Sequence, residues 1–298
     1  NLNKSMPLKD MPEAYNNAIN SINESLDLLK TSTGDFSTVQ SWLFSLKEGI
    51  ENSLLHTENF IERVNQLIKR VKQLSDATEF LPLYSSKKQL FSIGYNIEEN
   101  RLTNSFYDLL ASEARQTSYI AIARGEVPPK HWFKLGRSLT TIDRYKGLVS
   151  WSGTMFEYLM PYLIMKNYKN TLLDETYSFV IRSQKKYGRQ RRIPWGASES
   201  GFYSLDINLD YQYKAIGVPW LGLKRGLIED AVVAPYATFL ALPLDPEGAM
   251  GNIRELKSVG AEGPYGFYEA VDYTPERLTF GESHAVVKSF MAHHQGMC

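Results

Sequence analysis

Pro12 and Pro82 bound a stretch with no internal proline and only two glycines, Gly34 and Gly49. So few breakers allow long helices, and the cluster at residues 32–35 is the one expected turn. Residues 1–80 therefore read as an N-terminal helical hairpin. Its second limb sets Phe60, Val64, Leu67, Ile68, Val71 and Leu74 at three- and four-residue steps, with charged residues between them. That stripe fits either a helix packed on its own domain or a partner-binding face, and it carries no chemistry.

From Leu81 onwards the texture changes. Pro82, Gly94 and Asn96 mark turns, and helical periodicity resumes over residues 104–124, stopping at Gly125 before Pro128 and Pro129. Further helices are expected over 153–168, 171–187, 218–242, 246–259 and 284–297. They are separated by polar, aromatic loops at 188–217 and 260–283. No strand longer than a hairpin arm stands out, and neither GxGxxG nor GxxxxGK occurs, which argues against a nucleotide-binding α/β fold. The expected class is all-α, with residues 81–298 as a second domain.

Lys plus Arg and Asp plus Glu are both 33, so there is no net field to gather nucleic acid or an acidic membrane surface. Cys298 is the only cysteine, which excludes internal disulfides and cysteine-built metal centres. No run approaches the roughly 20 apolar residues of a membrane span. The chain opens on Asn1 and stops inside an expected helix, so it is expected to be a soluble piece of a longer polypeptide. Tyrosines number 18 and tryptophans 5, amphipathic ring surface of the kind that binds sugars.

Two loops set acids among such rings. In the first, Arg191 leads to Pro194, Trp195 and Gly196, and Glu199 lies between Ser198 and Ser200. In the second, Glu269 follows Tyr268 and precedes Asp272 and Tyr273 in a glycine-rich frame. Each acid also fits a solvated turn or hairpin position. Together they fit glycosidic-bond chemistry, which needs one carboxylic acid and one carboxylate on opposite faces of a sugar ring. A separation of roughly 5 to 5.5 Å implies retention, and roughly 6.5 to 9.5 Å implies inversion. Glu157 is a third acid, near a helix N-terminus, where stabilising the helix dipole is an equal explanation. If Glu199 or Glu269 faces away, Glu157 or Glu282 is the substitute. His293 and His294 are adjacent, so on a helix they diverge and do not grip one metal as an i, i+4 pair would. One of His294 or Gln295 is expected to point into the site and bind sugar hydroxyls. No metal and no cofactor is expected, and no GxSxG elbow supports a serine nucleophile.

The strings SWSGTMFEYLMP (150–161), PWGASES (194–200), GVPWLGLKRGL (217–227), VVAPYATFLAL (232–242), GPYGFYEAVDYTPER (263–277) and MAHHQGM (291–297) resemble the central, glycoamylase-like region of bacterial cyclic β-1,2-glucan synthases. So does the long string from Leu90 to Arg137, and the resemblance runs from Leu81 onwards. It implies an (α/α) barrel, a helical toroid incomplete at its C-terminus, with a cleft built from loops at one end. It also implies retaining transglycosylation of linear β-1,2-glucan to a ring. On motif matching it implies Glu199 and Glu269 as the catalytic pair, with Glu269 preferred as acid/base and Glu199 as nucleophile. Trp195, Tyr203, Tyr268 and Tyr273 would then form the sugar platform, with Arg191, Asp272, His294, Gln295 and Glu157 as polar contacts. The parent would be a bacterial inner-membrane protein whose other domains are partners and whose active regions face the cytoplasm. Ala197 departs from the isoleucine usual there. A hydrolase of the same polymer and a catalytically silent glucan-binding module remain the alternatives.

Overall fold

Helices form where breakers are absent and caps are present. The computed structural model describes residues 5–298; residues 1–4 of the expected N-terminal segment lie outside the described residues. The chain divides into two units, Asn1–Glu79 and Phe80–Cys298. In the first, α1 (Met11–Thr31) turns at residues 32–36 into α2 (Ser37–Ala77). The Asp35 carboxylate accepts the Ser37 N–H at 3.1 Å, and α1 buries Ile22 and Leu26. With 21 residues against 41, α1 pairs with the first half of α2, and the stripe from Phe60 to Leu74 extends past it. Among the described residues no helix is long and apolar enough to cross a membrane.

The second unit mixes helices with small sheets. Its helices are α3 (Arg115–Ala123), α4 (Met155–Leu159), α5 (Leu172–Arg191), α6 (Pro235–Ala241), α7 (Pro246–Ser258) and α8 (Ala292–Gln295). Thr171 caps α5 by accepting the Asp174 N–H, and Arg192 ends it in the left-handed conformation at φ 57°. Asp245 caps α7, whose first residue is Pro246. The main core packs Leu148, Met155, Leu159, Phe179, Val180, Val218, Leu221, Ala237 and Leu240 between α4, α5 and α6.

Taken whole, the described residues are about half helical, and the second unit adds small sheets to the helices expected of an all-α fold. Strands Leu90–Ser92 and Phe106–Tyr107 pair antiparallel, so the helix expected over 104–124 is only α3. Val232–Val233, Ala270–Asp272 and Ala285–Val287 make a three-stranded antiparallel sheet. Hence α6 and α8 fill only part of 218–242 and 284–297. Short apolar runs rich in valine have no periodicity that separates buried strand from buried helix. The helix begun at Met155 passes into a 3-10 turn at Met160–Leu163, which carries Pro161.

One contact seats the start of α4. Residues 150–154 lie against 217–223: Ser150 N–H donates to Leu221 O at 3.0 Å, and Val218 N–H donates to Gly153 O at 3.0 Å. A Cβ at Gly217 would overlap the backbone of Ser152 and Gly153. Gly217→Ala should destabilise the protein by about 2–3 kcal/mol. Gly251→Ala, in α7 with open space around the added methyl, should stabilise it by ~0.5–1 kcal/mol. Denaturant midpoints that shift in the same direction for both would refute this account of the seat.

Candidate active site

The loop that carries Glu199 is clamped from three sides. Gln184 of α5 bonds both the N–H and the carbonyl of Ala197, each at 2.9 Å. Ala234, ahead of α6, donates its N–H to Gly196 O at 3.0 Å. Ser198 Oγ accepts the Phe156 N–H at 3.0 Å and lies 2.7 Å from the Tyr236 hydroxyl, which donates to the Glu199 carbonyl at 2.9 Å. The backbone is thereby fixed while the Glu199 side chain projects into a cavity of about 560 Å³.

Glu113 and Glu157 line the same cavity, with Tyr107 and Trp151 among its walls. Glu157 is the N3 residue of the α4 capping box and is saturated with donors. Its carboxylate accepts Ser150 Oγ–H (2.8 Å), Ser152 N–H (2.9 Å), and the N–H and Oγ–H of Thr154 (3.0 Å each). Glu199 is not saturated. Burial, then the charges of Glu113 and Glu157, push its carboxyl up to about 7, with Lys224 and Tyr213 opposing. Burial also raises Glu113, and the charge of Glu157 adds to it, while Ser112 Oγ–H (3.2 Å) and Arg115 oppose. A carboxyl near neutrality beside a second carboxylate is suited to proton transfer.

Glu269 is placed differently. It is 2% exposed and is not a wall of the cavity. Gly201 has no side chain, so the Glu269 Cγ approaches within 3.3 Å of where a Cβ would stand, and the Gly201 N–H donates to Glu269 Oε1 at 3.0 Å. His294 Nδ1 lies 2.9 and 3.0 Å from the two Glu269 oxygens, and its ring stacks on Tyr236 at 3.9 Å. Glu269 thus meets the Ser200–Leu205 strand at Gly201, whereas the cavity opens onto Glu199 and Glu113. Of the two acids expected to share a groove, Glu199 lines this cavity and Glu269 is not among its walls.

The remaining expected contacts divide in the same way. Trp195 is 9% exposed in the core, its backbone bonded on both sides to Asn252. Arg191 donates to Ile228 O and lies over the Tyr187 ring. Asp272 is buried, accepting from Tyr203 N–H (3.0 Å), Thr274 N–H (2.9 Å) and Arg277 Nε (2.6 Å). Tyr268 packs on Phe290, Tyr273 packs on His284, and Gln295 donates to Phe267 O at 3.0 Å. Tyr203 is exposed beside Tyr211. None of these lines the cavity; of the expected polar contacts, Glu157 does. Glu282 is exposed in a loop. Glu113 and Trp151 line the cavity but are not among the expected site residues, though both stand in strings that carry the resemblance. Glu113 was hidden by reading residues 104–124 as one helix, whereas it lies just ahead of α3, where a side chain can face a cavity.

The family model Glycoamylase, described as "Putative glucoamylase", matches residues 105–298. The chain is 47% identical over 236 residues to "Cyclic beta-(1,2)-glucan synthase NdvB" of Rhizobium meliloti (strain 1021). That match covers 79% of this chain and only 8% of the relative. A solved endo-β-1,2-glucanase from Chitinophaga pinensis, in complex with sophorotriose and glucose, is similar in fold with a TM-score of 0.51 at 16% identity. The likeness covers 78% of this chain and 57% of the glucanase.

A carboxyl raised from about 4.5 to about 7 binds its proton more tightly in the folded state, so its ionisation costs stability as pH rises through that window. Glu199→Gln removes the cost. Its melting temperature should exceed that of the wild type at pH 8, with the gap closing towards pH 5. A gap that is constant or widens on acidification would contradict the raised carboxyl.

Proposed function

The chain belongs to the Glycoamylase family, and from that premise we propose that residues 80–298 are a retaining transglycosylase that closes linear β-1,2-glucan into a ring. The observation that carries the reading is the pair Glu199 and Glu113 in one cavity, with the Glu199 carboxyl near neutrality. The 47% identity to a cyclic glucan synthase supports the substrate class. Likeness in fold to a β-1,2-glucanase supports an (α/α) barrel as the architecture.

In this reading Glu199 gives its proton to the oxygen of the breaking linkage, and the Glu113 carboxylate attacks the anomeric carbon from the opposite face. A glucosyl ester on Glu113 results. The chain's own far 2-hydroxyl then displaces Glu113, losing its proton to the Glu199 carboxylate, and the β linkage is restored by two inversions. This takes the second catalytic role from Glu269 and reverses the expected role of Glu199, because Glu269 is enclosed and Glu199 can hold a proton at working pH. Ring closure over hydrolysis requires sugar in the acceptor site. Trp151, 60% exposed at the cavity wall, and Tyr107 offer ring faces for it. The unit works within a much longer bacterial polypeptide at the inner membrane, whose other domains supply the linear glucan.

Incubation with linear β-1,2-glucan should yield products without a reducing end. Shorter linear chains alone would mean hydrolysis. Glu199→Gln and Glu113→Gln should each lower turnover by roughly 10²–10⁴-fold with binding kept. An activated aryl leaving group should restore the first but not the second. Turnover unchanged in both variants would reduce the site to a glucan-binding module.

A further inference from the structure

Arg115, the first residue of α3, is 1% exposed. Its Nη1 donates to Ser112 O and to Glu157 O, both at 3.0 Å, and its Nη2 donates to Tyr158 O at 2.7 Å and to the Tyr177 hydroxyl at 3.0 Å. All four acceptors are neutral oxygens. Burying a cation on neutral partners costs stability, so packing alone does not account for an arginine here. The fork joins two segments that carry cavity acids. Glu157 O and Tyr158 O lie at the end of α4, where carbonyls lack helical partners and a positive charge is favoured. Ser112 O belongs to the peptide that leads into Glu113, and it also accepts the Arg115 N–H at 3.3 Å. Ser112 Oγ in turn donates to Glu113 Oε2 at 3.2 Å and accepts the Ala114 N–H at 3.2 Å. The turn is thereby locked on both sides of Glu113 and fastened to α4, whose Glu157 lines the same cavity.

Resting on the reading of Glu113 as nucleophile, we propose that Arg115 and Ser112 are its positioning residues: the buried guanidinium fastens the Ser112–Glu113 peptide to α4, and the Ser112 hydroxyl holds the carboxylate towards the cavity. Attack on the anomeric carbon needs a carboxylate oxygen at fixed reach and angle, and a displacement of about 1 Å costs about 10²-fold in rate. Neither residue touches the sugar. Both also favour the charged form that attacks. Ser112 Oγ–H donates to the carboxylate, and Arg115 brings a positive charge two residues along the chain. The other titratable groups facing Glu113 are Tyr107 on the Phe106–Tyr107 strand, Asp108 beyond it, Glu157 on α4 and Glu199 on its loop. None of them is a cation. Around the guanidinium itself stand Tyr158 of α4 and Tyr177 of α5, both phenols. Lys224 acts on Glu199.

The test compares Ser112→Ala, Arg115→Lys and Arg115→Met with wild type and Glu113→Gln, by kcat, KM and pH profile on linear β-1,2-glucan, each variant first checked for cooperative thermal unfolding. Ser112→Ala removes one hydroxyl and should lower kcat about 10-fold with KM within about 2-fold. Arg115→Met should lower kcat roughly 10²-fold. Arg115→Lys keeps the charge but cannot span four oxygens, and its kcat should lie between that of Arg115→Met and wild type. The acidic limb, where Glu113 takes up its proton, should move to higher pH in Ser112→Ala and Arg115→Met, because each removes a partner of the ionised form, and should move less in Arg115→Lys. A merely structural loss lowers the active fraction and leaves the limb where it is. Should neither Arg115 variant fold, Ser112→Ala decides, since the hold of the guanidinium on Glu113 passes through Ser112. Wild-type kcat and an unmoved limb in Ser112→Ala, or in a folded Arg115→Met, with Glu113→Gln inactive, would overturn the positioning and leave the nucleophile standing. A Glu113→Gln variant that keeps turnover would remove the nucleophile, and its positioning residues with it.

Discussion

The site depends on two backbones approaching closer than any side chain permits. Residues 150–154 rest on 217–223 because Gly153 and Gly217 bring no Cβ between them, and main-chain hydrogen bonds at 3.0 Å close the seam. Ser150, Ser152 and Thr154 are thereby turned inward as donors to Glu157, and α4 starts from that capping box. From α4, the Phe156 N–H reaches Ser198, and Ser198 reaches Tyr236, which holds the Glu199 carbonyl. That seam therefore fixes where two of the three cavity acids, Glu157 and Glu199, stand.

Helices with caps and long unbroken stretches were legible in the sequence. The expected hairpin appears as α1 and α2, and the expectations over 171–187 and 246–259 appear as α5 and α7, each with an N-cap residue in place. Short valine-rich strands were not legible, because Val232–Val233 and Ala285–Val287 are too brief to display alternation and are held by partners far along the chain. For the candidate site, residue type pointed to loops near the cavity more than to the side chains that line it. PWGASES does carry the Glu199 that projects into the cavity. Trp195, two residues away, looked like a sugar platform and is instead packed beside Asn252, since a tryptophan next to a glycine reads alike whichever way its loop turns. Glu113 had no aromatic frame in sequence to mark it, and its ring neighbours, Tyr107 and Trp151, come from other segments.

What separates the acids chemically is the supply of donors and not burial alone. Glu157 and Glu269 are both nearly enclosed, and each accepts a set of hydrogen bonds that satisfies an ionised carboxylate. Glu199 and Glu113 are less enclosed but poorly supplied, so desolvation and mutual repulsion act on them with little to offset either. Adding donors to Glu199 would stabilise the fold and hold the carboxylate charged, at the cost of its capacity to keep a proton near neutral pH.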